Sequence, residues 1–375
     1  MRVIHCAGSP EAIGELECAV HAMLAGGEAV AVVGAGQAIP PRDPGPGQVV
    51  LTTSGSTGQP KWVQIGAAAL RASAAATHAR LGGPGRWLLA LPAHHVGGLQ
   101  VVVRAALTAG HPTALDLRGG FSPAGFGAAA RRLGREAGPC YTALVPTQLA
   151  RLLDTEPESL VGFDAVLLGG AAAPEQLLHR AQAAGVRVVT TYGMTETSGG
   201  CVYDGWPLDG IKIRVDANPG GIELAGPVLA TGYLEAPEHT AAAFRGGWFK
   251  THDLGRLDET GRLRVLGRAD DVIITGGLNV APAEVEAVLT SLPGIATACV
   301  VGLPDPQWGE RVTAVVTPAD PEHPPDPDAL RAAARGLLTG AQTPKEIILL
   351  DTLPLHGIGK PDRYAIRRML GTRGH

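Results

Sequence analysis

Runs of consecutive apolar residues, rather than alternating ones, mark the first two-thirds of the chain. They fall near 29–33 and at 86–91 (RWLLAL), 112–115, 141–145 (YTALV), 164–168 (DAVLL) and 187–191 (RVVTT). A continuous apolar strand is one covered on both faces. Between these runs lie Ala-rich stretches that predict helices near 11–25, 67–80, 97–109, 122–135 and 174–184. Strands alternating with helices predict an α/β domain built on mainly parallel sheets. A Pro/Gly-rich connector at 37–48 sets the first helix–strand unit apart. From about 211 the texture changes to short alternating strands (IKIRV, GGIELAG, GRLRVLG) with turn signals, which predicts an antiparallel β subdomain. After LGRADD (266–271) a small α+β module is expected, with strands at 272–274, 296–303, 311–317 and 346–350. Its helices are expected at 282–292, near 328–338 and after Pro361. The expected organisation is a large domain over 1–267, a hinge at 268–270 and a small mobile domain over 271–375.

Composition narrows the function classes. Hydrophobic residues make up 45% and charged residues 18% of 375, as in an ordinary soluble protein. The net charge of −4 gives no footing for nucleic acid or an anionic membrane. Five cysteines (Cys6, Cys18, Cys140, Cys201, Cys299) are widely spaced and odd in number, which points to a reducing compartment, the cytoplasm. Acidic residues interrupt the N-terminal stretch before any long apolar run, so no signal peptide is expected there, and no segment is apolar enough to predict a transmembrane span. The chain strongly prefers Arg: only Lys61, Lys212, Lys250, Lys345 and Lys360 are lysines. Two of them, Lys61 and Lys360, sit in glycine-rich stretches.

Those stretches and four others carry candidate chemistry, each with an ordinary structural alternative. TTSGSTGQPK (52–61) offers hydroxyls, free backbone N–H groups and one cation, the parts of a phosphate cradle or of a plain surface loop. Its spacing is not that of a Walker loop. TTYGMTETSGG (190–200) places Glu196 where a strand ends, a favoured ligand position in open α/β sheets; the alternative is a capping stretch. LGGAAAP (168–174) leaves room for a flat ring or makes a tight turn. Asp253 in GWFKTHDLG would accept two ribose hydroxyls or cap a turn. The adjacent His94 and His95 are expected to point apart, as pocket wall or core, not as a metal pair. HGIGKPDR (356–363) projects Lys360 just before Pro361 starts a helix, or leaves it an exposed lysine.

Their order along the chain is more telling than any one of them. TSGSTGQPK, YGMTE, TxD, GRADDVIITGGLNVAPAEVE and GIGK, from about 49 to 365, resemble the adenylate-forming superfamily of acyl- and aryl-CoA ligases, luciferases and peptide-synthetase adenylation domains. The resemblance implies that Thr53, Ser54, Gly55, Ser56, Thr57, Gly58 and Lys61 hold the β- and γ-phosphates of ATP. It implies that Gly169, Gly170, Ala171, Tyr192 and Gly193 line the adenine slot, that Thr195 contacts the α-phosphate and that Glu196 holds Mg²⁺. Asp253 and Arg268 would bind the ribose; the carboxylate is kept although Thr251-His252-Asp253 departs from the family's T-G-D. Asp270 would be the hinge, Gly276 and Gly277 part of the loop that rearranges for coenzyme A, and Lys360 the adenylation lysine.

The compact form, with LPAHHVGGLQ and YGMTETSGGCVYDGWPLDG, is similar to the o-succinylbenzoate–CoA ligase branch, which implies His94, His95, Ser198, Gly199 and Gly200 near the carboxylic acid. The region before TTSGSTG is shorter than the family's, which leaves the oligomeric state, a homodimer among the choices, open. A benzoate or medium-chain CoA ligase keeps the same motifs. A non-catalytic nucleotide-binding member of the fold is the alternative from another class, against which the joint presence of Lys61, Glu196, Asp253 and Lys360 argues.

Overall fold

The computed structural model describes all residues except 54–60, 109, 136, 218, 357–359 and 372–375. They form two compact units. The first comprises Met1–Ala172, Arg180–Arg214 and Glu223–Thr251; the second comprises Ala173–His179, Val215–Ile222 and the chain from His252 onward.

In the first unit, helix Pro10–Leu24 starts where Ser9 accepts from the Ala12 N–H at 3.3 Å and Pro10 takes the first helical position. Ile13, Leu16, Val20, Met23 and Leu24 form its buried face. The entirely buried strand Val30–Val33 lies parallel between Arg2–His5 and Gln48–Thr53. The sheet then turns antiparallel through Lys61–Gly66 and Gly232–Tyr233. Arg2–His5 has too few apolar positions to stand out in the sequence; its pairing with Val30–Val33 makes it a strand. Helix Pro146–Thr155, also unanticipated, is amphipathic and buries Leu149 and Leu152.

A second sheet of the first unit has the order Trp206–Pro207, Gly199–Tyr203, Val188–Met194, Ala165–Leu168, Cys140–Leu144, Arg86–Leu89, Thr113–Ala114. Its strands are parallel from Thr113–Ala114 to Val188–Met194 and antiparallel beyond. The mainly parallel α/β expectation holds, with an antiparallel margin on each sheet. Parallel strands bring their carboxyl ends to one edge, so residues 90–95, 169–171 and 195–200 share that edge.

Helix Val96–Leu107 carries a buried arginine, Arg104, whose Nη2 donates to Thr77 Oγ1 at 3.1 Å and whose guanidinium lies 5.0 Å from the Trp87 ring. His78 is nearby, and its buried Nε2 has no hydrogen-bond partner. Burial, reinforced by the Arg104 charge, depresses its pKa to about 4. An unfolded histidine titrates near 6.5, so between these values the unfolded chain binds a proton that the folded one refuses. Stability is expected to fall as pH drops from about 6.5 to about 4, by no more than about 2 kcal/mol for a half-buried ring. The denaturant midpoint of the parent should keep a constant offset from that of His78→Gln above about pH 6.5 and fall relative to it between about pH 6.5 and about pH 4; parallel curves throughout would mean that His78 titrates alike in the folded and unfolded chain.

The second unit centres on a sheet of order Leu278–Val280, Ile273–Thr275, Gly309–Pro318, Ile295–Asp305, with Glu346–Leu349 parallel to Gly309–Pro318. Strand alternation sends Val300, Val312 and Val316 to one face, against Val285 and Leu289 of helix Pro282–Ser291 and Leu330 of helix Pro327–Arg335. Cys299, Val301, Leu303 and Val315 face the other way, against Ile366 and Leu370 of helix Arg363–Gly371. That last helix begins later than expected. Lys360–Pro361 instead forms a two-residue strand, and Asp362 accepts from the Ala365 N–H at 2.9 Å as the cap. The expected hinge, 268–270, lies within this unit, on the arginine before the 3₁₀ turn Ala269–Asp271 and on its first two residues.

Candidate active site

Strands Gln48–Thr53 and Lys61–Gly66 form a hairpin in which Thr53 sits directly opposite Lys61. The expected phosphate residues Ser54, Gly55, Ser56, Thr57 and Gly58 lie outside the described residues, between these two positions. Lys61 is thus at the base of the hairpin connection, with Nζ 5.2 Å from the centroid of the Tyr233 ring.

The reversal from parallel to antiparallel pairing creates a constrained turn in the first unit. Val188–Met194 ends in the 3₁₀ turn Thr195–Thr197, closed by Thr197 Oγ1, which accepts from the Met194 N–H at 2.9 Å and donates to Gly199 O at 2.8 Å. Ser198 follows at φ 53°, a left-handed conformation that a buried non-glycine residue adopts only under tertiary constraint. Its carbonyl accepts from Gln100 Nε2 at 2.6 Å and Ser73 Oγ at 3.1 Å, and its hydroxyl donates to Val228 O at 2.7 Å. Gly193 is required by space: a Cβ there would lie 2.1 Å from Gly199 O. Gly169 is packed in the same way, since a Cβ would lie 2.3 Å from Thr191 Oγ1; it keeps Ala165–Leu168 close to the strand that bears Tyr192. Gly170 takes φ 82°, so the tight-turn reading of this segment holds alongside any role as a slot.

The turn holds Glu196 at 9% exposure, and Tyr233 Oη donates to its Oε1 at 3.0 Å. Burial first, and then the Glu196 charge, raises the Tyr233 phenol above its ordinary range, so it stays protonated and donates. One ring therefore touches both Lys61 and Glu196. Tyr233 was not legible as a site residue. Its strand is only Gly232–Tyr233, with no periodicity, and its partners are distant in sequence. Among the described residues, no cluster of three potential metal ligands occurs. One carboxylate is nevertheless a protein donor set that fits Mg²⁺, which is held by one or two carboxylates together with substrate phosphates and retained waters.

The two histidines do not point apart: their ring centroids are 4.4 Å from each other, because the chain turns at His95 to enter helix Val96–Leu107. His94 Nδ1 is buried without a hydrogen-bond partner, and burial lowers the pKa of the ring. The helix they open also meets Gly199, where a Cβ would stand 3.3 Å from Gln100 Cγ and 3.8 Å from Val96 Cγ2. His95 and Ser198–Gly199 thus flank the same helix end, with Gln100 as an unanticipated link.

Within the second unit, Asp253 and Arg268 are directly opposite each other on strands Trp248–Leu257 and Leu263–Arg268. Arg268 Nη2 donates to Asp270 Oδ2 at 3.0 Å, with His252 Nδ1 4.0 Å from the same oxygen. Gly276 and Gly277, at φ 57° and 79°, make a two-residue hairpin turn that requires glycine-like backbone at both positions. The Lys360 backbone pairs with His356 across residues 357–359.

Residues 12–234 match the model of the AMP-binding enzyme family, and residues 284–360 match that of the AMP-binding enzyme C-terminal domain. The chain belongs to the AMP-binding enzyme family. The match begins well before the motifs, within helix Pro10–Leu24. A protein of Mycobacterium tuberculosis named probable 2-succinylbenzoate–CoA ligase is 47% identical over 86% of this chain and 85% of its own length. The o-succinylbenzoate CoA synthetase of Bacillus subtilis, solved with the acyl-adenylate intermediate OSB-AMP, superposes with a TM-score of 0.74 at 28% identity, over 94% of this chain and 80% of that one. The amide bond synthetase McbA of Marinactinospora thermotolerans superposes with a TM-score of 0.82 at 26% identity, over 98% of this chain and 89% of that one.

Proposed function

We propose that the protein is an AMP-forming acid–thiol ligase that joins o-succinylbenzoate to coenzyme A through an acyl-adenylate, a step of menaquinone biosynthesis. The 47% identity to the mycobacterial ligase, sustained over 86% of the chain, carries the reading. The meeting of Lys61, Tyr233 and Glu196 at one edge supports it.

Two displacements follow from this chemistry. An oxygen of the acid's carboxylate attacks the α-phosphorus of ATP, and pyrophosphate leaves. The thiol sulfur then attacks the acyl carbon, AMP leaves, and the thiol proton is lost. Both steps need charge neutralisation more than proton transfer. We assign Lys61, with Thr53 and residues 54–58, to the departing phosphates, and Thr195 to the α-phosphate. Glu196 would hold Mg²⁺, which when bound neutralises phosphate charge. Gly169–Ala171, Tyr192 and Gly193 would take the adenine, and Asp253 with Arg268 the ribose. His94, His95, Ser198, Gly199 and Gly200 would surround the acid. Asp270, ion-paired with Arg268, and the Gly276–Gly277 turn would rearrange between the two steps. ATP and coenzyme A as substrates make the cytoplasm the working compartment.

Release of AMP, measured with ATP and coenzyme A over a panel of acids, tests the reading. A pocket built for a keto acid with a second carboxylate is expected to favour o-succinylbenzoate over benzoate by about 10²-fold or more in kcat/KM. Equal turnover of benzoate would remove the acid assignment and leave the ligase class. Release of AMP with an amine but not with coenzyme A would remove the thiol.

A further inference from the structure

We propose that Tyr233 is a positioning residue, whose phenol orients the Glu196 carboxylate for a divalent cation while its ring supports the Lys61 ammonium, so that one side chain sets both charges that meet the nucleotide's phosphates. The inference rests on the reading of Glu196 as the metal-holding carboxylate.

The ring is held firmly enough for this role. Tyr233 lies opposite Val63 in an antiparallel pairing, with further bonds from Thr231 N to Gln64 O and Leu234 N to Trp62 O, both 2.8 Å. Its own N–H donates to Thr240 Oγ1 at 2.9 Å. Gly232, at φ 148°, lets the backbone press against that threonine, where a Cβ would lie 2.5 Å from Thr240 Cγ2. Phe244 packs edge-on, with the ring centroids 5.9 Å apart. The strand that carries Lys61 is therefore the strand that fixes Tyr233, and the geometry at lysine and carboxylate is set together.

The Glu196 side is tied down as well. Ala230 N donates to Glu196 O at 2.8 Å, and Tyr233 Oη reaches Oε1 at 3.0 Å. A carboxylate on a 3₁₀ turn has several rotamers; a fixed donor on one oxygen selects among them and sets the plane of the other. Such donors behind metal-holding carboxylates typically matter 10- to 100-fold in metal affinity. The ring face below Lys61 adds a second, separable contact, since a cation over an aromatic face is attracted to it without needing the hydroxyl.

Tyr233→Phe keeps the ring, the strand and the contact with Lys61, and removes only the donor. Mn²⁺ binding, followed by electron paramagnetic resonance with α,β-methylene-ATP present, is expected to weaken about 10-fold. In the full assay the KM for metal–ATP should rise by a similar factor, with the KM for the acid unchanged. In a Glu196→Gln background the same substitution should have no further effect on Mn²⁺. Tyr233→Leu, which also removes the ring, should in addition weaken metal-free binding of the analogue; if Tyr233→Phe does this equally, the ring contact carries nothing. Unchanged Mn²⁺ affinity in Tyr233→Phe, or an equal loss for metal and acid, would overturn the proposal. If the parent releases no AMP with any acid while Mn²⁺ binding still responds to Tyr233→Phe, the functional reading falls and this one stands.

Discussion

Replacing Lys360 by alanine is expected to slow acyl-adenylate formation by about 10²-fold or more, the size of effect seen when a preorganised charge donor is lost. The same variant, given preformed acyl-adenylate and coenzyme A, is expected to make thioester at close to the parental rate. The reason is where charge builds up. A carboxylate approaching a triphosphate brings like charges together, and a cation at the α-phosphate relieves this. Thiol attack on a finished adenylate places its developing charge on the acyl oxygen and the thiol. The Lys360 backbone pairs with His356 just ahead of helix Arg363–Gly371. Pyrophosphate exchange and thioester formation, measured separately, check this. Normal exchange would make Lys360 an ordinary lysine, and equal loss of both steps would make it structural.

The second large effect concerns what holds that segment. Arg363 grips both oxygens of Glu286, donates to Val300 O at 2.9 Å and lies 3.3 Å from Asp271. Glu286 in turn accepts from the Val300 N–H at 2.8 Å. Arg363 and Glu286 are only 20% and 18% exposed, so removing one partner leaves a poorly solvated charge, a change that costs about 3–5 kcal/mol. Arg363→Ala should therefore lower the unfolding midpoint of the second unit and leave that of the first in place. Hydrogen exchange can read the two separately, using amides of Ile295–Asp305 against those of Val30–Val33. Arg363→Lys should recover a minor part, because a point charge cannot serve both oxygens and the carbonyl. A change below about 1 kcal/mol would place this cluster among ordinary surface pairs. Since Arg363 starts the helix after Lys360 and reaches the residue after Asp270, its loss should also impair adenylation in proportion to the unfolded fraction.

Much of the architecture can be read locally. The all-apolar run Val30–Val33 is a strand covered on both faces, and the stretch near 11–25 read as a helix forms one over Pro10–Leu24. The histidine pair shows where local reasoning stops. Adjacent side chains were expected to diverge, yet the turn into helix Val96–Leu107 brings their rings together. Pro361 likewise reads as the start of a helix with Lys360 on the turn before it, but antiparallel pairing of Lys360 with His356 and of Pro361 with Leu355 makes both residues strand and moves the cap to Asp362.

The sequence by itself determined which chemical groups are present and in what order: hydroxyls and a lysine between two strands, an acid at a strand end, a lysine near the last helix. Residue type and order are local properties, and they sufficed for the family. Only the tertiary structure decided how the groups of the first unit are held. Ser198 adopts its left-handed turn because Gln100, Ser73 and Val228 take up its polar groups. Glu196 is oriented by Tyr233, which lies 37 residues further along the chain. Contacts between residues so far apart leave no periodic trace in a sequence, because they arise only when separate strands and helices pack and each buried polar group must find its partner.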